Sequence, residues 1–197
     1  KLQRCGESMI DWRNTSERYG AIAQFLHWTI FALIALQFVS AELVEAFPRT
    51  SAERAMVITV HESLGLAALA LVLIRLPWRI VNPALPGHGP AWQQRLARAA
   101  HVALYALMVA APVTGYVLAA ARGHDPALFG LALPQLIGQD RALARAAKNV
   151  HEVLAWTMAA LVAVHAAAAV WHHVVAGDAT LRRMLPRRTG IELGFRR

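Results

Sequence analysis

The 197-residue sequence predicts an all-α fold, an integral membrane four-helix bundle with both termini cytoplasmic. Three observations predict it. Hydrophobic residues make up 57% of the chain and charged residues only 16%, where a soluble domain carries roughly 25% charge. Four apolar blocks recur, each of about 20 residues, the length a helix needs to cross the hydrocarbon core. The basic residues gather at alternate ends of those blocks, which sets an orientation.

The blocks follow in order. The first, Ala21–Ala41, reads AIAQFLHWTIFALIALQFVSA and carries no formal charge. The second runs from Met56 to Trp78, the third from Ala99 to Ala121 and the fourth from Asn149 to Ala176. Pro112 and Gly115, in APVTGY, predict a kink in the third. The chain thus divides into a polar extension over residues 1–18, one four-span unit over 19–188 and a basic tail over 189–197. No repeat or low-complexity linker interrupts it. The first twenty residues lack an apolar h-region and a cleavage pattern, so the first span is expected to act as its own uncleaved signal, with Met9 as an alternative start. Cys5 is the only cysteine, which excludes an internal disulfide and a CxxCH haem-attachment motif.

Charge decides the orientation. The N-terminal segment, the second connection and the C-terminal tail hold 14 of the 20 Lys and Arg, among them Arg75, Arg79, Arg95, Arg98, Arg182, Arg183, Arg187 and Arg188. The first and third connections hold six, and Glu42, Glu45 and Glu53 make the first acidic. Both termini are therefore expected in the cytoplasm. The net charge of +8 needs no nucleic acid, because basic flanks facing anionic lipid account for it.

Nine histidines carry the functional signal. His88 and His124 lie in PGHGP and RGHDP connections, where a solvated loop residue is the ordinary reading. The other seven lie at or within the spans, where an ionisable group is costly and marks function. A satisfied interhelical hydrogen bond would explain any one of them alone. Depth sorts four of them into two pairs. His27 and His165 sit at comparable levels in the inner half, and His61 and His151 share the outer half. His151 and His165 are fourteen residues apart on one helix, about 21 Å of rise with an angular offset of only about 40°. They are too distant to share a metal ion, yet they leave the same side of the helix. Two pairs at two depths, with the fourth helix contributing to both, suit two bis-histidine haems stacked across a membrane. His101 opens the third span at the inner level, where a polar surface role or an alternative ligand is open to it. His172 lies seven residues beyond His165, some 10 Å nearer the cytoplasm. His173 points about 100° away, so the adjacent pair makes no ready metal clamp. Gly65 and the alanines of HAAAAV leave room for a macrocycle, although small-residue helix packing explains them equally.

The segments QFLHW, VHESLG, HVALY, PVTGYV, NVHEVLA, VHAAAAVWHH and LRRMLPRR resemble the bacterial cytochrome b561 family, over about Tyr19 to Arg188. Within that family the chain looks most like the superoxide oxidase branch, a resemblance that implies the bacterial inner membrane. The resemblance implies haem ligation by His27, His61, His151 and His165, the same set that depth selects. It also implies that electrons enter from superoxide on the periplasmic side, cross two haem b groups and reduce ubiquinone near the cytoplasmic side.

Other residues then acquire candidate roles. Lys148, with Arg122, Arg141 and Arg145, could steer superoxide to the outer mouth, pair with haem propionates or simply be solvated. Residues 128–136, LFGLALPQL, could fold over the outer site or lie in the interface. His101 and His172 are candidates to hydrogen-bond a quinone carbonyl. Arg75 and Arg79 could anchor inner propionates or simply mark the lipid boundary, the boundary being the first reading for Arg79. Two other functions compete. A cytochrome b subunit would take electrons from a partner dehydrogenase or hydrogenase and pass them to quinone. A histidine-lined transporter would need a continuous polar path, but Asp, Asn and Gln are nearly absent from the spans.

Overall fold

A computed structural model describes residues 11–87 and 89–186. Four long helices dominate it: α1 (Ala21–Ala46), α2 (Ala52–Val81), α3 (Ala91–Ala121) and α4 (Arg141–Val174), followed by a short α5 (Thr180–Met184). A two-stranded hairpin, β1 (Ala127–Leu128) and β2 (Leu131–Ala132), lies between α3 and α4. Each of the four long helices is apolar and long enough to span a bilayer. The all-α bundle expected from the sequence is the fold observed.

Most helices outrun their apolar blocks, because hydropathy sees only the part in lipid while the backbone continues until a cap ends it. The Ser51 side chain accepts the Arg54 N–H and starts α2 before the apolar block, and Asp140 accepts the N–H groups of Ala142 and Leu143 to start α4. These bonds satisfy donors that have no partner within the helix. α3 runs unbroken through Pro112. At 26 to 34 residues, α1 and α4 reach about 39 and 51 Å, longer than the roughly 30 Å hydrocarbon core.

α1 packs on α2, α3 on α4, and α2 on α3. The core lies at mid-depth, where Ile30, Ile34, Val72, Ala111 and Met158 meet, flanked by Phe38, Leu107 and Leu154. It fills the level between the two histidine pairs. Leu36, Val39, Leu73, Ile74, Val102, Val153 and Val164 face outward, as expected where the surrounding medium is lipid rather than water. Between α1 and α4 a cavity of about 300 Å³ is lined by Phe31, Phe38 and four alanines among other apolar residues.

The two ends are built differently. At the end nearer the termini, the Asn14 N–H and side-chain amide bond the Asn82 side chain and backbone, Trp28 Nε1 donates to Met184 O (2.9 Å), and Arg18 donates to Leu185 O (2.6 Å). These contacts tie the N-terminal segment and α5 beneath the bundle. At the far end the hairpin turns through Phe129 and Gly130, both at positive φ (48° and 87°), the turn type whose twist matches paired strands. Buried Ser63 on α2 accepts the Phe129 N–H (2.9 Å) and donates to Thr59 O, which pins the hairpin to α2. Tyr116 Oη donates to Pro134 O and accepts the Leu136 N–H, so residues 128–136 fold against α2 and α3.

Candidate cofactor-binding centres

His61 on α2 and His151 on α4 face each other across the bundle, ring centres 6.3 Å apart and planes at 77°. Each ring is fixed from behind. The Ser40 hydroxyl donates to Gln37 O (2.9 Å), so its oxygen is left to accept His61 Nδ1–H (2.9 Å). Gln37 Nε2 also donates to His61 O, anchoring the same turn of α2 to α1. His151 Nδ1 lies 2.9 Å from Ala111 O, an acceptor only, and 3.3 Å from Thr114 Oγ1. Both rings therefore hold their proton on Nδ1 and keep Nε2 free as a lone-pair donor. Gly115 lets the His151 ring lie against α3, since a Cβ there would meet Cε1 at 3.2 Å and Nδ1 at 3.4 Å.

At the other level His27 and His165 stand 6.4 Å apart with planes at 65°. A third ring joins them. His101 lies 5.3 Å from His165, inside the bundle rather than at the inner surface. Arg75 Nη2 donates to His27 Nδ1 (3.2 Å), and Trp28 packs edge-on against the same ring (5.2 Å).

The spacing tests what these pairs can hold. A metal–imidazole bond of about 2.0–2.1 Å, plus about 1.1 Å from nitrogen to ring centre, puts two trans imidazoles about 6.3 Å apart, centre to centre. The separations of 6.3 and 6.4 Å would let each pair hold one iron between its rings. The His101–His165 separation of 5.3 Å is too short for an iron between them. Among the described residues no group of three or more His, Cys, Asp or Glu could clamp a metal by itself. Paired imidazoles with no further protein ligand suit a metal whose other positions a macrocycle fills.

The family model for prokaryotic cytochrome b561 matches residues 18–187. The chain belongs to that family. Its curated relatives include cytochrome b561 homolog 1 of Escherichia coli (strain K12), 31% identical over 87% of this chain and 98% of the relative. Cytochrome b561 homolog 2 of the same organism is 32% identical, over 89% and 95%. A protein of Yersinia pestis named probable superoxide oxidase CybB is 30% identical, over 88% and 99%. Proteins of this family bind haem b, and the chain is a multi-pass membrane protein of electron transfer.

The remaining candidate residues of this cytochrome b561 fall at both ends. His172 Nδ1 meets Asp178 Oδ2 at 2.5 Å, just past the end of α4, and Asp178 Oδ1 accepts the Thr180 N–H (2.8 Å). Burial alone would push the Asp178 carboxyl up, but hydrogen bonds from Thr180 and His172, and the charge of His172, hold it at about 2. Arg79 turns inward from the expected lipid boundary, its guanidinium 5.8 Å from the Tyr105 ring centre. At the far end Lys148 is paired with Glu152, one turn on, and both are half exposed. Arg122, Arg141 and Arg145 are exposed there. His124 comes within 3.8 Å of Glu62, so it is not simply a solvated loop residue. His88 lies outside the described residues.

Sequence reasoning missed the residues that hold the rings. Ser40 and Gln37 had a legible signal, as two polar residues in the otherwise apolar second half of the first block. Ala111 had none, because it acts through its backbone carbonyl. Glu152 could have been found at the i+4 position from Lys148.

Proposed function

We propose that this cytochrome oxidises superoxide at the His61/His151 end, on the periplasmic side, and reduces ubiquinone at the His27/His165 end, on the cytoplasmic side. Two superoxide anions give two O2 and two electrons. Those electrons and two protons convert one ubiquinone to ubiquinol. Two haem b groups, held by His61 with His151 and by His27 with His165, supply one-electron transfer when bound. The observation that carries the reading is the pair of six-ångström histidine spacings at opposite levels of α4. The full-length similarity to a relative named as a probable superoxide oxidase supports the donor.

The chain's own residues serve this chemistry in three ways. His61 with His151, and His27 with His165, would each hold a haem through two imidazoles, which would leave O2 no place to bind. Arg122, Arg141 and Arg145 give the outer mouth a positive field that attracts a small anion, with Lys148 partly offset by Glu152. Asp178 holds His172 by Nδ1 and leaves Nε2 available, as the imidazolium, to donate to a quinone carbonyl and pass on its proton. His101, beside His165, is a second candidate for that carbonyl.

The test is direct. Purified chain loaded with haem is mixed with superoxide and a soluble ubiquinone, and haem reduction and ubiquinol are followed together. Rapid haem reduction with about one ubiquinol per two superoxides supports the reading. Reduction by a purified dehydrogenase or hydrogenase, and none by superoxide, overturns it in favour of a partner-linked cytochrome b subunit. A reporter fused to the C-terminus settles the sidedness: activity in the cytoplasm is expected, and activity confined to the periplasm exchanges the two ends.

A further inference from the structure

At the inner end a cavity of about 30 Å³ is lined by Arg75, Trp78 and Arg79 from α2, by Asn82 and by Tyr105 from α3. That exceeds the roughly 10–15 Å³ that a single water needs, which leaves room for a small polar group such as a carboxylate. The lining is unusual in its polarity. Arg75 and Arg79 stand one helical turn apart, guanidinium carbons 5.9 and 5.8 Å from the Tyr105 ring centre. Neither appears in an ion pair with a carboxylate among the described residues. Trp78 Nε1, Asn82 Nδ2 and the Tyr105 hydroxyl are buried without a hydrogen-bond partner. Asn82 Oδ1 already receives the Asn14 N–H (3.2 Å), while its Nδ2 keeps donors to offer. Unpartnered buried donors beside two cations with no carboxylate counter-charge are costly unless a ligand supplies negative oxygen.

We propose that this pocket is an oxyanion clasp for a propionate carboxylate of the haem held by His27 and His165. The inference rests on the two-haem reading above and deepens it. Two contacts favour a cofactor-borne carboxylate over a free anion. Arg75 already touches the His27 ring (3.2 Å), which joins the pocket to the ligand site. The Asn14 bonds to Asn82 and Pro83, with Met184 in the lining, cover the pocket on the side of the N-terminal segment. Two guanidinium groups and three neutral donor groups are more than enough to fill a carboxylate's four lone-pair sites. The clasp also acts on the ligand. While Arg75 donates to His27 Nδ1, that ring must carry its proton on Nε2, the wrong form for ligation through Nε2. With Arg75 drawn to a carboxylate, the His27 proton can move to Nδ1, which leaves the Nε2 lone pair free for ligation.

The experiment uses full-length chain made under haem limitation, held in lipid nanodiscs and loaded with haem b or with its dimethyl ester, whose propionates are capped. Affinity is read at the site that His27→Ala empties. Wild type is expected to hold haem b at least about tenfold more tightly than the ester there, the scale of losing charge-assisted hydrogen bonds. In the double variant Arg75→Gln/Arg79→Gln the preference should fall to within about threefold. If that variant does not fold, as judged by its retained outer haem, Trp78→Phe with Arg79→Gln provides the milder comparison and should lower the preference. Equal affinity for haem and ester in wild type overturns the clasp. So does inorganic phosphate that binds the haem-loaded chain and is lost in the arginine variants, since the pocket would then serve a free anion. His27→Ala that loses no haem overturns the two-haem reading and the clasp together. Normal haem loss in His27→Ala with no ester effect overturns the clasp alone.

Discussion

Ser40→Ala isolates the contribution of one hydroxyl to the outer centre. The Ser40 side chain is buried, 5% exposed, and its oxygen is the acceptor for His61 Nδ1–H at 2.9 Å. Removing it leaves a buried imidazole N–H unpaired, which costs about 1–3 kcal/mol. Alanine's better helix propensity returns only about 0.5 kcal/mol. The net loss of roughly 0.5–2.5 kcal/mol corresponds to about a 2- to 70-fold weaker hold on the outer haem, at about 1.4 kcal/mol per tenfold. Outer-shell partners of metal-bound histidines elsewhere lie in the same range, about 10- to 100-fold. The assay is a redox titration of the purified chain with haem counting. The outer haem should be lost first on dilution and its potential should move, while the inner haem is unchanged. Ser40→Thr keeps the oxygen and should restore most of the loss. Equal retention and equal potential of both haems in Ser40→Ala would refute the assignment of Ser40 as the residue that sets the His61 tautomer. Loss of the inner haem instead would refute the pairing itself.

Three further outcomes are expected. Gly115→Ala should be tolerated with a small shift of the outer haem spectrum, because the His151 ring need give only a few tenths of an ångström, whereas Gly115→Leu should empty the outer site; full haem content in the leucine variant would count against the His151 position. Glu152→Gln removes the partner that offsets Lys148 and should raise the rate of reduction by superoxide at about 0.01 M salt, with the gain fading toward 0.15 M as the Debye length falls from about 30 to 8 Å; Lys148→Glu should slow the rate, and a rate indifferent to both changes excludes steering by this pair. The Asp178 carboxyl is held at about 2, below its ordinary 3.8, so the folded state favours its charged form. That stability is present above about pH 4 and is lost as pH falls through 2. The protection of α5 amides, relative to their intrinsic exchange rates, should fall on acidification from pH 5 to 2, Asp178→Asn should reproduce that fall at neutral pH, and unchanged protection in both would rule out the anchor.

Some of this was legible in single residues. The tautomers of the outer rings were half legible, through the polar Ser40 in an apolar block, and half hidden, through the carbonyl of Ala111. The inner level was the less legible of the two. His101 lies on another helix from His165, and only the packing of α3 against α4 brings their rings to 5.3 Å. Arg79 reads as a boundary residue from its position near the end of α2, and Tyr105 on α3 is what turns it inward.

By itself the sequence determined the four spans, because crossing lipid requires about twenty apolar residues and that run is a local property. It also determined the levels of the histidines, since helical rise converts residue number directly into depth. Azimuth and distance between helices are different in kind. They depend on which faces pack, and only the tertiary structure decided that His27 meets His165 at 6.4 Å and His61 meets His151 at 6.3 Å. The same holds for the pocket of unpartnered donors around Arg75, whose members come from α2, α3 and the N-terminal segment. Apolar burial is non-directional and constrains such positions weakly, whereas hydrogen-bond donors need partners at fixed distance and angle. That geometry exists only once the helices are assembled.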